Sequence, residues 1–127
     1  MLSADGQNAA ELAAITIVRL AQNNLEVSKS IAACNGIVPL VRLLSNGSPA
    51  AQQQAASALS ELGQVPRNRN EIAQAGGLEP LIRLLSSPTV GTPETAARAL
   101  AHLARSNEDG EDAKENEDDE EGEEEGE

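Results

Sequence analysis

Ala75-Gly76-Gly77-Leu78-Glu79-Pro80-Leu81-Ile82-Arg83-Leu84-Leu85-Ser86 decides the reading of this chain, because Asn35-Gly36-Ile37-Val38-Pro39-Leu40-Val41-Arg42-Leu43-Leu44-Ser45 carries the same pattern 41 residues earlier. At that offset residues 31–62 align with residues 72–103, and fourteen of the 32 pairs are identical. Pairs such as Ile37/Leu78 and Val41/Ile82 are conservative. Ala13-Ala14 through Leu20 mirrors Ala55-Ala56 through Leu62, so a partial copy precedes two whole ones. This organisation gives a partial repeat at 1–22 and full repeats at 23–63 and 64–106.

Each unit reads as three helices. The first spans about Asn68 to Ala75 and stops at Gly76-Gly77, since glycine takes the left-handed conformation that ends a helix. Pro80, like Pro39, suits the first turn of a second helix, where its missing N–H costs nothing. Leu81, Ile82, Leu84 and Leu85 then form its expected buried stripe, as do Leu40, Val41, Leu43 and Leu44 one unit earlier. Ser48-Pro49 and Thr92-Pro93 read as a capping side chain followed by proline at the first helical position. Ala55, Ala58, Leu59, Leu62 and Ala96, Ala99, Leu100, Leu103 mark one face of the third helices.

Composition agrees with an all-α reading. The chain has 127 residues, 39% apolar, and no Phe, Tyr or Trp, so the core is built from Ala, Leu, Ile and Val. Small aliphatic residues favour closely packed helices over a sheet. Charge is uneven: residues 107–127 hold 14 of the 21 acidic side chains against Lys114 alone, a net of -13, while residues 1–106 carry +1. With Ala113 as its one apolar residue, that segment buries too little surface to offset its ordering entropy, and it is expected to be a disordered acidic tail. It reads chiefly as a solvated segment. The sharper alternative is a tethered competitor folding back over Arg98, Arg105 and Arg19.

Other classes are disfavoured. No stretch approaches the roughly 18 apolar residues of a membrane span, and the N-terminus lacks a secretory pattern, so membrane insertion is not expected. One cysteine makes no internal disulfide, and an intracellular setting, cytoplasmic or nuclear, is expected. Asn46-Gly47-Ser48 reads as a turn rather than a glycosylation acceptor. The overall charge of -12 and the lack of aromatic stacking surface argue against nucleic acid. His102 has no second ligand at metal spacing, and no nucleophilic triad or phosphate-cradling loop can be assembled. No enzyme activity, cofactor or metal is expected. Cys34 aligns with Ala75, which predicts a small packed residue, and Arg42 and Arg83 read as solvated positions.

A helix trio this short cannot enclose its own core, so each copy must bury its stripe against the next. Units of about 40 to 47 residues with two or three helices point to the armadillo and HEAT group. The two junction segments quoted above, with Ala55-Ala56-Ser57-Ala58-Leu59-Ser60-Glu61-Leu62 as third helix, resemble armadillo repeats over about 100 residues. The resemblance implies a right-handed α-solenoid with three helices per repeat, whose third helices line a concave groove for extended peptides or partner helices.

On those helices Ile15 and Arg19, Ser57 and Glu61, and Arg98 and His102 lie one turn apart and off the main stripe. With Arg105 they form the candidate protein-binding groove. Import adaptors of the family typically carry tryptophan at the first of these positions and asparagine at the second. Here Ile15, Ser57 and Arg98, then Arg19, Glu61 and His102, stand instead, which disfavours a nuclear transport adaptor. The expected function is a protein-interaction module or scaffold, with an acidic or mixed-charge peptide as guest. Its alternative is the substrate-recognition end of an armadillo-type ubiquitin ligase. Three helical rungs at about 8 to 10 Å span roughly 20 to 30 Å, room for about six to nine extended residues. The chain opens inside a third helix, with Ala9, Ala13, Ile17 and Leu20 lacking partner helices. This reads as a fragment or the last repeats of a longer array, or as self-association through the uncapped N-terminal face.

Overall fold

The corner between first and second helices rests on two adjacent residues. Gly76 has φ +85° and its counterpart Asn35 has φ +66°, the left-handed region that glycine and asparagine tolerate best. The residue after each must be glycine for a different reason. A Cβ on Gly36 would lie 2.6 Å from Ile31 Cγ2, and one on Gly77 would lie 2.8 Å from Ile72 Cγ2. The chain therefore turns sharply in both units, and in the first unit the helices on either side meet at 84°.

The computed structural model describes residues 2–105, and side chains from Ala9 onward. Among these residues it contains α1 (Leu2–Ala21), α2 (Leu25–Ala33), α3 (Ile37–Asn46), α4 (Pro49–Leu62), α5 (Pro66–Gln74), α6 (Leu78–Leu84) and α7 (Thr92–Ala104), and no strand. The acidic tail expected at 107–127 lies outside the described residues. No single helix among them is long and apolar enough to cross a membrane.

Of the two expected caps, Ser48 forms and Thr92 does not, and a further cap starts α2. The Asn24 side chain accepts the Val27 amide at 3.1 Å and starts α2, and the Ser48 hydroxyl accepts the Ala51 amide at 3.2 Å ahead of Pro49. At α7 the cap is Gly91, with φ +88°, and Thr92 is already the first helical residue. Helix α6 ends at Leu84 with Leu85 as its cap, and Pro88 follows. The connection is therefore longer than between α3 and α4, and a left-handed glycine redirects it. Helix α5 likewise begins at Pro66, two residues earlier than expected.

The third helices form one layer, α4 packing against α1 on one side and α7 on the other, while α3 packs against α4 and α6. Being in the middle, α4 buries Ala51, Ala55, Ala56, Ala58, Leu59, Ser60 and Leu62, two faces rather than one. Position in the pile also corrects two expected stripes. On α6 Leu81 and Leu84 are buried but Ile82 and Leu85 are exposed, because nothing described here covers that side. On α1 the buried residues are Ala14 and Ala21, with Ile17 and Val18 half-buried, whereas Ala9, Ala13 and Leu20 are exposed. Helix α1 buries the side that meets α4 and leaves Ala9, Ala13 and Leu20 uncovered by any described element. Cys34 is exposed rather than packed, lying on the turn that ends α2.

Candidate protein-binding face

The groove candidates Ile15/Arg19, Ser57/Glu61 and Arg98/His102 lie on α1, α4 and α7, and α4 packs against both of the others. Ile15 and Ser57 are half-buried at the foot of the row, and Arg19, Arg98 and Arg105 are exposed. Glu61 is half-buried, its carboxylate accepting the Gln64 side-chain amide at 3.3 Å. His102 Nδ1 lies 3.0 Å from the Ser60 carbonyl on α4, so the ring nitrogen facing that oxygen carries the proton. This contact ties the second rung to the third.

Burial holds the His102 pKa below its ordinary value, helped by the charges of Arg105 and Arg69, against the opposing pull of the Ser60 carbonyl and Glu61. At neutral pH the ring is uncharged and the row is positive through Arg19, Arg98 and Arg105. Arg19, Arg98 and Arg105 stand exposed, and the clefts of about 340 Å³ between α1 and α3, 270 Å³ between α2–α3 and α5, and 280 Å³ around Lys29 and Arg67 are lined by other residues. An open charged row suits an extended chain better than a small molecule, which needs enclosure. Arg42 and Arg83 are exposed as expected, Arg83 pairing with Glu79 at 2.9 Å. Among the described residues no three His, Cys, Asp or Glu side chains are grouped to hold a metal ion.

Sequence reasoning missed two residues that fix the rungs from behind. Asn68 and Arg69 are buried although they sit in Pro66-Arg67-Asn68-Arg69-Asn70, a very polar stretch. Asn68 Nδ2 donates to the carbonyls of Leu62 at 3.0 Å and Ser28 at 3.2 Å. Arg69 donates through Nε to Gly63 O at 2.6 Å and through its guanidinium to Gln64 O at 3.2 Å. The carbonyls of Leu62, Gly63 and Gln64 lie at the end of α4 and just beyond it, where helical partners run out, and the bond to Ser28 O ties the same junction to α2. Little in the sequence signals them: Gly63 after Leu62 reads as an ordinary helix stop, and only in the structure does it take a right-handed conformation (φ -71°), leaving these side chains to meet the carbonyls.

Comparison with known proteins agrees with this architecture. The armadillo/β-catenin-like repeat model matches residues 26–63 and 66–105. None of the curated proteins matches the chain. Among solved structures, an engineered protein is 31% identical, the match covering 77% of this chain and 40% of that one with a TM-score of 0.73. A designed armadillo repeat protein in complex with the peptide (KR)4 is 25% identical over 74% of this chain and 40% of that one, with a TM-score of 0.69. The armadillo repeats only protein of Plasmodium falciparum shares the fold at 22% identity, 79% and 44% coverage and a TM-score of 0.68. The chain thus spans less than half the length of each of these three structures. With two repeat matches over most of the described residues, and helices stacked as the matches require, this chain belongs to the armadillo/β-catenin-like repeat family.

Proposed function

We propose that the chain is a protein-interaction module that holds an extended, acidic or mixed-charge segment of another protein along the row Ile15, Arg19, Ser57, Glu61, Arg98, His102 and Arg105. The observation that supports this reading is the side-by-side packing of α1, α4 and α7, which carry exposed Arg19 and Arg98 and, on the turn after α7, exposed Arg105, against Glu61, itself engaged by Gln64. The designed armadillo protein bound to (KR)4 holds a basic peptide. Arginines in the row here favour the opposite charge, and the absence of Trp/Asn pairs at these positions weighs against nuclear-signal binding. With no aromatic anchor in the chain, the contact is expected in the micromolar range, about -8 kcal/mol.

The test is fluorescence anisotropy with a labelled (ES)4 peptide, chosen as an extended acidic probe. Binding that weakens at least about tenfold on Arg98→Ala plus Arg105→Ala, and declines with salt, supports the reading. Binding unchanged by Arg19→Ala, Arg98→Ala and Arg105→Ala together overturns it. Because the acidic tail attracts a basic peptide anywhere, binding of (KR)4 counts for the groove only where Glu61→Gln changes it.

A further inference from the structure

The peptide row holds several bases and one acid, and the segment that follows it in the chain holds many acids and one base. The row has Arg19, Arg98 and Arg105 with Glu61, whereas residues 107–127 have 14 acidic side chains with Lys114. Among the described residues none of the three arginines is ion-paired, and Glu61, whose Oε1 accepts from Gln64, accepts nothing at Oε2. Arg98, His102 and Arg105 are spaced by four and three residues, which puts them along one side of α7. His102 Nδ1, at 3.0 Å from Ser60 O, shows that this side meets α4 next to Glu61, and the charges of Glu61 and Arg105 both reach the ring. The neutral imidazole thus stands between an acid on α4 and bases on α7 that do not pair with each other.

Order and reach agree with this match of signs. Helix α4 packs between α1 and α7, so a chain that leaves the end of α7 and turns back meets α7, then α4, then α1. Counted from Arg105, Glu111 is six residues on, Lys114 nine and Glu117 twelve. Unconstrained chains of those lengths have root-mean-square spans of about 13, 17 and 19 Å, and longer ones where like charges repel. Packed helices lie about 8 to 10 Å apart, which places α4 one spacing and α1 two spacings from α7. Three extended residues advance about 10 Å, so the step from Glu111 to Lys114 and the step from Lys114 to Glu117 each match one helix spacing.

We propose that residues 111–117 are a built-in guest of the peptide row, crossing α7, α4 and α1 with Glu111 at Arg98 and Arg105, Lys114 at Glu61, and Glu117 at Arg19. The inference rests on the proposed row and adds its regulation: a segment of another protein binds by displacing this one. Lys114 sets the register, because in any other alignment the one acid of the row faces a carboxylate. Each pair is exposed or half-exposed and weak by itself, and the segment is held by an effective concentration of roughly millimolar. Rising salt releases it.

The chain has two lysines, Lys29 and Lys114, so carbodiimide cross-linking of the full chain reads the register directly. Expected at low salt is an amide between Lys114 and Glu61 in the monomer band, found by peptide mass mapping, lost in Glu61→Gln and reduced in about 0.5 M salt. Glu61→Gln leaves Gln64 its acceptor, and an unchanged far-UV circular dichroism melt checks the fold. Lys114 joined to acids within 107–127 with Glu61 unlinked overturns the proposal. A second readout turns on sign. Lys114→Ser makes the segment more negative, so a tail acting through net charge alone competes better and weakens (ES)4 binding. With Lys114 setting the register, the same variant loosens the segment and (ES)4 binding tightens at least about twofold, an effect that Glu61→Gln abolishes. Weakened or unchanged (ES)4 binding in Lys114→Ser overturns the proposal. Failure of the row itself shows separately, as (ES)4 binding that ignores the three arginines, while the cross-link reports the Lys114–Glu61 contact without any peptide.

Discussion

Replacing Arg69 by alanine is expected to cost more than any other single polar substitution in the described region. Its side chain is 3% exposed and donates to two main-chain oxygens, Gly63 O at 2.6 Å and Gln64 O at 3.2 Å. A hydrogen bond from a charged donor contributes about 1.5–3 kcal/mol, and the carbonyls left behind stay dry, so Arg69→Ala should lose about 3–5 kcal/mol. That is a large share of the roughly 5–15 kcal/mol that holds a domain folded. Arg69→Met separates packing from hydrogen bonding. Apolar replacement of a buried ion pair is often harmless because both charges go, but here the acceptors are backbone and cannot be removed, so Met should still lose about 2 kcal/mol. The chain has no aromatic residue, so the assay is urea unfolding followed by circular dichroism at 222 nm rather than intrinsic fluorescence. A loss below about 1 kcal/mol for Arg69→Ala, or Met as stable as Arg, would show that the junction between α4 and α5 is not held by these bonds.

Three further outcomes follow from particular positions. Gly76→Asn should change stability by less than about 1 kcal/mol, since Asn35 already occupies the same left-handed corner, whereas Gly77→Ala should cost about 1–3 kcal/mol because its Cβ would sit 2.8 Å from Ile72 Cγ2 and 3.1 Å from Ile72 O; thermal melts of the two variants compare them directly. The His102 pKa is lowered in the folded state, chiefly by burial, so the neutral ring stabilises the fold fully above its ordinary value of 6.5, and that contribution is lost as pH falls through the folded-state pKa. The fall in unfolding free energy between about pH 7 and pH 5 should be shallower in His102→Gln, and superimposable curves would exclude the histidine as its source. Removing residues 108–127 should tighten (ES)4 binding about twofold or more at low salt, if the tail competes at roughly millimolar effective concentration; equal anisotropy titrations with and without the tail would dismiss the competition.

The fold was legible because its punctuation is local. Asn35-Gly36 and Gly76-Gly77, Pro39 and Pro80, and Ser48-Pro49 each act within a few residues, and the offset of 41 aligned them before any contact was known. The groove candidates were chosen from the same register, on the expectation that residues equivalent by repeat stay equivalent in space when third helices pack side by side. Burial was less legible. Ala56 and Ala97 are the same residue at the same helical position, yet one is dry and the other wet, and no helical periodicity distinguishes them. Their difference is set by whether a described repeat packs against them, a property of the pile and not of the helix. Arg69 was hidden for the converse reason: charged residues are seldom buried, so a polar run reads as solvated unless the orphaned carbonyls at the end of the preceding helix are counted. In a solenoid the informative comparison is therefore between equivalent positions of successive units. Residues that stay buried in every copy hold the unit together, and residues that are buried in one copy and exposed in another show where the packing of one repeat on the next makes the difference.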